Sequence, residues 1–236
     1  MLARYNNFFH TQLAASSALV RIAQAIRYQV YCLERKFESE DEHDDGLERD
    51  DFDGMAVHSL IFHRPTSEAI GTARLIPLSE EEALQPVRQL LRESGLRGRD
   101  HFPLQTTAEV SRFAISNQFR RGRGDDAAVD AKLERECRGS LPCLGLIQEL
   151  LRQSIARGLT HWAAVMEPKL LRMLAAMGIH FTPVGPLVSH HGLRQPSYCC
   201  ISEMLERLKQ ERPEHWMVVT EAGTLLPEPG EARCAA

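Results

Sequence analysis

The stretch TTAEVSRFAIS, residues 106–116, constrains the fold more than any other in this chain. It reads as a half-buried strand, yet Glu109 and Arg112 stand three positions apart within it. Side chains of a strand alternate between faces with a period of two. An offset of three therefore sends the two charges to opposite faces unless a bulge intervenes. A bulge near Val110 or Ser111 would turn both toward one side. Without one, Glu109 shares its face with Ser111 and Phe113, and Arg112 must find a partner beneath the sheet.

Flanking segments supply the rest of a sheet and its helices. MAVHSLIFH (55–63) and AIGTARLIPL (69–78) read as strands, and EEALQPVRQLLRESGLRGRD between them and the third as a short helix ending near Gly95. Upstream, Leu19, Ile22, Ile26, Val30 and Leu33 recur at helical spacing and predict an amphipathic helix within 12–35, with Arg27, Tyr31 and Glu34 on an adjacent stripe. The acidic run at 38–47 cannot pack on itself and is expected to be a mobile, solvated loop. Past a polar loop, a strong helix begins near Pro142 with Ser140 as its cap, buries Leu144, Ile147, Leu151 and Ile155, and stops at Gly158. HWAAVME, PKLLRMLAAMG, IHFTPVG and SEMLERLKQER then read as strand, helix, strand and helix. The expectation is one α/β domain over residues 1–221 and a disordered tail over 222–236.

With 28 Lys and Arg against 32 Asp and Glu, the net charge of −4 offers no overall basic field for nucleic acid or an anionic membrane. No run of about 18 apolar residues is present and the first residues lack a leader pattern, so a cytoplasmic protein is expected. The six cysteines form no matched CxxC pairs, and reduced thiols are expected. His180, His190 and His191 lack metal-ligand spacing, Cys143 lacks a local histidine partner, and RRGRG lacks interleaved aromatics; no metal, thiol nucleophile or RNA site is read from them. Met166, Met173 and Met177 are either core or lining of an acyl tunnel.

The strings ERDDFDG (48–54), GTARLIPL (71–78) and EVSRFAIS (109–116) resemble the acyl-homoserine-lactone synthases and their N-acyl amino acid synthase relatives, within the GNAT superfamily of N-acyltransferases. Arg27, Tyr31, Phe37, Asp50, Asp53, Arg74, Glu109 and Arg112 match that pattern in order and at similar spacing. Tyr31 and Phe37 stand where the lactone synthases often carry phenylalanine and tryptophan. GIHFTPVGPLVSHHGLRQPSY and VHSL look closer to acyltransferases associated with PEP-CTERM/exosortase systems. The resemblance implies an α+β GNAT fold: a mixed, mostly antiparallel sheet flanked by helices and splayed between its fourth and fifth strands to admit a pantetheine arm.

It also implies a reaction. An amine attacking a thioester must shed a proton, and the developing oxyanion must be stabilised. Glu109 is the expected general base, with Ser111 and Arg112 beside it in the catalytic set; Arg27, Tyr31, Phe37, Asp50, Asp53, Arg74 and Phe113 are expected to bind the acceptor or assemble the site. The bland alternatives are that Glu109 satisfies a nearby arginine and that Asp50 and Asp53 belong to a solvated acidic loop. QFRRGRGDD misses by one residue the glycine-loop spacing with which acetyl-CoA-dependent relatives cradle a pyrophosphate. Acyl carrier protein is therefore the expected donor, with acyl-CoA as the alternative, and Arg120, Arg121 and Arg123, with Arg88, Arg92, Arg97 and Arg99, are candidates for docking that acidic protein unless they form a solvated basic loop. No permanently bound cofactor is expected. The acceptor is expected to be a small amine such as an amino acid. Rival readings are an acetyl-CoA-dependent acetyltransferase and a non-catalytic acyl-carrier or lipid-binding module.

Overall fold

Leu60 and Ile61 are neighbours in one strand and both are fully buried, which requires cover on both faces of the sheet. The computed structural model describes residues 1–78, 103–121, 139–189 and 192–226. Among the described residues eight strands form an open sheet in the order β1-β2-β3-β4-β5-β8-β6, with β7 on β8. They are β1 (Phe9–Leu13), β2 (Val57–His63), β3 (Glu68–Pro77), β4 (Thr107–Ile115), β5 (His161–Met166), β6 (Thr182–Pro183), β7 (Val188–Ser189) and β8 (Leu193–Cys200). All pairings are antiparallel except β4 with β5.

Helices cover the two faces. After α1 (Leu2–Phe8), α2 (Ser17–Tyr28) and the π-helical segment that continues it (Gln29–Glu34) close one face with Ala23, Ile26 and Val30 against Leu60 and Ala114. The opposite face carries the larger core, where Leu144, Ile147 and Leu151 pack with Ile61, Leu75, Val110 and Trp162. Those leucines belong to α4 (Leu141–Ile155), which follows the short α3 (Asn117–Arg121). The remaining helices are α5 (Pro168–Ala176), α6 (Ile201–Glu211) and α7 (Pro213–Val219). Gly145 lets α4 lie close: a Cβ there would come within 2.8 Å of the Tyr5 hydroxyl. Among the described residues no helix is long and apolar enough to cross a membrane.

Several expectations need correction. The predicted 12–35 helix begins at Ser17, capped by the Ser16 Oγ, because residues 9–13 form an edge strand instead. It ends as a π-helix over Gln29–Glu34, and the predicted face is buried only in part: Ile26 and Val30 pack inward, while Ile22 and Leu33 are 37% and 39% exposed and Ala23 and Arg27 are buried instead. Ser140 makes no side-chain cap bond. IHFTPVG pairs only over Thr182–Pro183, and the long neighbour of β5 is β8, whose Pro196 hides its strand character in sequence. Cys32, Cys143 and Cys199 are buried thiols, but Cys200 is disulfide-bonded, so reduced thiols do not hold throughout. Residues beyond 221 begin with a turn that packs Leu225 on the core. The predicted helix ending near Gly95 lies outside the described residues, as do Arg88, Arg92, Arg97, Arg99 and Arg123, the side chains of Arg120 and Arg121, and His190 and His191.

Candidate active site

The parity of β4 breaks inside the opening stretch. Arg74 of β3 stands opposite Ser111 and Thr72 opposite Ala114, so two steps on β3 face three on β4. The extra residue is accommodated at Arg112, whose backbone adopts a left-handed φ of 49°. The bulge thus follows Ser111 rather than preceding it, one to two residues later than expected. Before it, Ala108 and Val110 point into the α4-side core; after it, Ala114 joins the α2-side cluster and Ile115 returns to the α4 side. Glu109, Ser111 and Arg112 consequently all border one cavity together with Arg74 and Tyr31.

Arg112 is tied into a closed ring of six charges. Arg27 bonds Glu48 through Nε. Glu48 accepts from Arg112 Nη2 at 2.9 Å, and Arg112 Nη2 lies 3.1 Å from Asp50. Asp50 accepts from Arg74 at 2.6 and 2.9 Å, Arg74 reaches Asp53 at 2.6 Å, and Asp53 returns to Arg27 at 2.6 Å. The cations come from α2, β3 and β4; the acids all come from the 48–53 loop. Burying these charges is expensive unless each is well paired, and the alternation around the ring pairs all six. Burial alone would raise the Glu48 and Asp50 carboxyls. Hydrogen bonds and charge from Arg27 and Arg112 outweigh it at Glu48, and those from Arg74, joined by the charge of Arg112, do so at Asp50; both pKa values fall to about 2. Burial likewise opposes the charge on Arg27 and Arg112, yet Glu48 raises both.

Glu48, 1% exposed, is the member that sequence reasoning missed. A count of charges does not reveal it, since the three matched arginines face three matched acids, Asp50, Asp53 and Glu109; its signal in the chain is its place at the head of the string ERDDFDG. The main partner of Arg112 is Glu48, with Asp50 second and Glu38 at 3.7 Å. His58 lies under the loop, its Nε2 within 3.3 Å of the Asp53 carbonyl. Burial is the main cause that lowers its pKa.

Around this frame, Ser111 Oγ accepts from Arg74 Nε at 3.0 Å. The Tyr31 hydroxyl donates to the Phe113 carbonyl at 3.3 Å, its ring carries the Arg112 guanidinium at 5.6 Å, and Phe37 leans on it at 6.3 Å between centroids. These contacts fix the bulge from the α2 side. Glu109 is 3% exposed and stands beside Ala163, the last pair between β4 and β5. Beyond it the pairing ends, although β4 continues to Ile115 and β5 to Met166. A cavity of about 600 Å³ occupies this opening, lined by Ser111 to Ile115, Val165, Met166, Leu170 and Met173, and continues to Tyr31, Phe37 and Arg194. All ten matched or neighbouring residues from Arg27 to Phe113 therefore converge, but Arg27, Asp50, Asp53 and Arg74 converge chiefly on one another.

Where β4 ends, Glu34 takes the backbone N–H of Asn117 at 3.0 Å and the Ser116 hydroxyl at 3.1 Å. Among the described residues no group of three or more His, Cys, Asp or Glu is arranged to hold a metal ion.

Residues 26–129 match a family model described as an acetyltransferase (GNAT) domain. Among solved structures, a CoA-dependent acyl-homoserine lactone synthase, BjaI, with SAM and isopentyl-CoA, is similar at a TM-score of 0.60 and 19% identity, over 92% of this chain and 99% of that one. TofI, in a ternary complex with an inhibitor and MTA, gives 0.59 and 21%, over 85% and 96%. FeeM, an N-acyl amino acid synthase from uncultured soil microbes, gives 0.58 and 14%, over 84% and 94%. No curated protein sequence matches the chain. These likenesses establish the fold.

Proposed function

We propose that this chain, which has the GNAT fold and carries a GNAT acetyltransferase domain match over residues 26–129, is an N-acyltransferase that moves a fatty acyl group from acyl carrier protein to the amine of a small acceptor such as an amino acid. One observation carries the reading: a single cavity joins the opening between β4 and β5 to the Tyr31 and Phe37 wall, with Glu109 on its lining. A thioester entering the opening meets an amine held against that wall.

The amine attacks the thioester carbonyl carbon. The C–N bond forms, the tetrahedral intermediate collapses, the C–S bond breaks, and the thiolate leaves and takes up a proton. Glu109 receives the proton of the amine directly or through one water, a general-base contribution of roughly 10²–10⁴-fold. Backbone N–H groups of the bulge stabilise the oxyanion. Ser111, whose Oγ is already engaged as an acceptor by Arg74, has its own O–H to offer the acceptor or intermediate. Arg112 acts as a positioning residue through Glu48 and Asp50, and Arg27, Arg74 and Asp53 complete the ring that fixes the loop. Phe113 and the methionines Met166 and Met173 border the acyl path.

Two features favour carrier protein over CoA. The polar segment after β4 departs from the pyrophosphate-cradle spacing, and the first amide of that turn is already taken by Glu34. A pantetheine arm bears a single phosphate and does not need that cradle; Arg120, Arg121 and Arg123 are assigned to docking the acidic carrier. Because BjaI is CoA-dependent, acyl-CoA is the competing donor. Purified protein incubated with matched acyl-carrier-protein and acyl-CoA thioesters, across a panel of amines, tests this by mass spectrometry of products. Higher kcat/KM with the carrier-bound donor is expected. Products from CoA thioesters alone would reassign the donor, and no acylated product from any thioester would end the enzymatic reading.

A further inference from the structure

Arg194, at the start of β8, borders the cavity from beyond β5 and is 11% exposed at its side chain. Its guanidinium lies over the Phe37 ring, 4.8 Å from the centroid, and the Arg35 guanidinium lies over the same ring at 5.8 Å. Both cations approach one carboxylate, Glu167, at 3.5 and 3.6 Å. The ring around Glu48 is tighter, with its Asp50, Asp53 and Arg74 contacts at 2.6 Å. Lys169 lines the same cavity. Burial lowers the Arg194 pKa and the Glu167 charge opposes it, so this cation gains from further negative charge.

Resting on the acyltransferase reading and deepening it, we propose that Arg194, with Arg35 beside it, binds the carboxylate of the amine acceptor, and that Glu167 holds this position until the acceptor arrives. The guanidinium fork matches a carboxylate through paired N–H donors, and the flat face of Phe37 sets the plane in which that fork lies. The loose contacts to Glu167 are ones that a substrate carboxylate can replace. The register places the two ends of the acceptor. Ala163 pairs with Glu109 and Met166 with Gln195, so roughly 13 Å of β5 separates the level of Glu109 from that of Glu167 and Arg194. Glu109 and Arg194, both long side chains, line the same cavity, so a short acceptor that bears both an amine and a carboxylate is asked to bridge what their reach leaves of that span. An ammonium at Glu109 and a carboxylate at Arg194 describe an amino acid or another short amine bearing a carboxylate. A plain alkylamine leaves Arg194 without that charge.

The test compares each amino acid acceptor with its carboxamide, using one thioester donor. Wild-type protein is expected to favour the carboxylate by about 10–100-fold in kcat/KM, the size of a charged hydrogen-bonded contact. Arg194→Met should collapse that ratio toward one, Arg194→Lys should restore part of it, and Glu167→Gln should lower KM for the carboxylate acceptor; circular dichroism checks that each variant is folded. An unchanged ratio in Arg194→Met overturns the proposal. So does an equal rise in donor KM with both acceptors, which would give Arg194 to a donor phosphate. Calorimetric titration of the amino acids and their amides separates this from the acyl-transfer reading. Carboxylate-selective, Arg194-dependent binding without turnover would keep the site and sink the reaction, whereas turnover without carboxylate preference would do the reverse.

Discussion

Arg112 grips Glu48 through both Nε and Nη2, at 3.1 and 2.9 Å, from a backbone held at a φ of 49°. The residue that breaks the alternation of β4 is therefore the one that clamps the 48–53 loop. A left-handed conformation costs a side-chain-bearing residue roughly 1–2 kcal/mol, and here the ion pairs made from it offset that cost. The bulge and the loop support each other: without the acids Arg112 has little reason to turn over, and without the turn Glu48 keeps only Arg27.

Arg112→Ala and Arg112→Gly separate the two contributions. Both remove the charge and leave Glu48 buried beside one arginine, for which a loss of about 3–5 kcal/mol is expected. Glycine relaxes the left-handed backbone, so its variant should be about 1 kcal/mol more stable than the alanine one. Urea unfolding midpoints measure the difference; equal midpoints would place no strain at this residue in solution.

Acid should unfold the protein through the same ring. The Glu48 carboxyl drops from 4.5, and that of Asp50 from 3.8, to about 2 in the folded state. A depressed folded pKa means that the unfolded chain binds protons first. The stability from these groups is thus complete above about pH 5 and is lost as pH falls toward 2, by up to about 3 kcal/mol for Glu48 and somewhat less for Asp50. His58 adds to the trend, since its lowered pKa favours the unfolded state once pH drops below the ordinary histidine value of 6.5. Denaturation curves between pH 7 and pH 3 should show monotonic loss, and Glu48→Gln should be less stable at pH 7 while depending less on pH.

Glu109→Gln keeps the shape of the side chain and removes its basicity. The expected result is a fall in kcat of about 10²–10⁴-fold, with the melting temperature shifted far less than by Arg112→Ala. Full turnover across the pH range would exclude Glu109 as the base and give that task to water or a backbone carbonyl.

Replacing Arg120, Arg121 and Arg123 together by glutamate should raise KM for the acyl carrier protein and remove its salt dependence. Turnover of a small pantetheine thioester should persist. Equal losses with both donors would mean that this segment supports the site itself.

Much of this arrangement was written locally. The helical spacing around Ile26 and Val30, the extended runs of β2 to β4, and the glycine stops at Gly158 and Gly178 depend on neighbours a few residues away, so they are legible in the chain. The matched residues from Arg27 to Arg112 could be gathered for the same reason: their types and spacing survive in one dimension.

Other features exist only after folding. β1 is a short strand of mixed polarity whose pairing partner lies some fifty residues away, and β8 carries a proline that its position beyond β5 tolerates. The inward face of α2 takes in Ala23 beside Ile26 and leaves Ile22 exposed, because burial against Leu60 and Ala114 completes what its periodicity only outlines. Glu48 becomes central because Arg27 and Arg112, distant in sequence, meet over it, and Arg194 joins Phe37 because β8 runs alongside β5. Alternation along a strand says which residues share a face. Whether a bulge reverses that alternation, and which acid neutralises which arginine, is decided by the energy of burying charge in three dimensions.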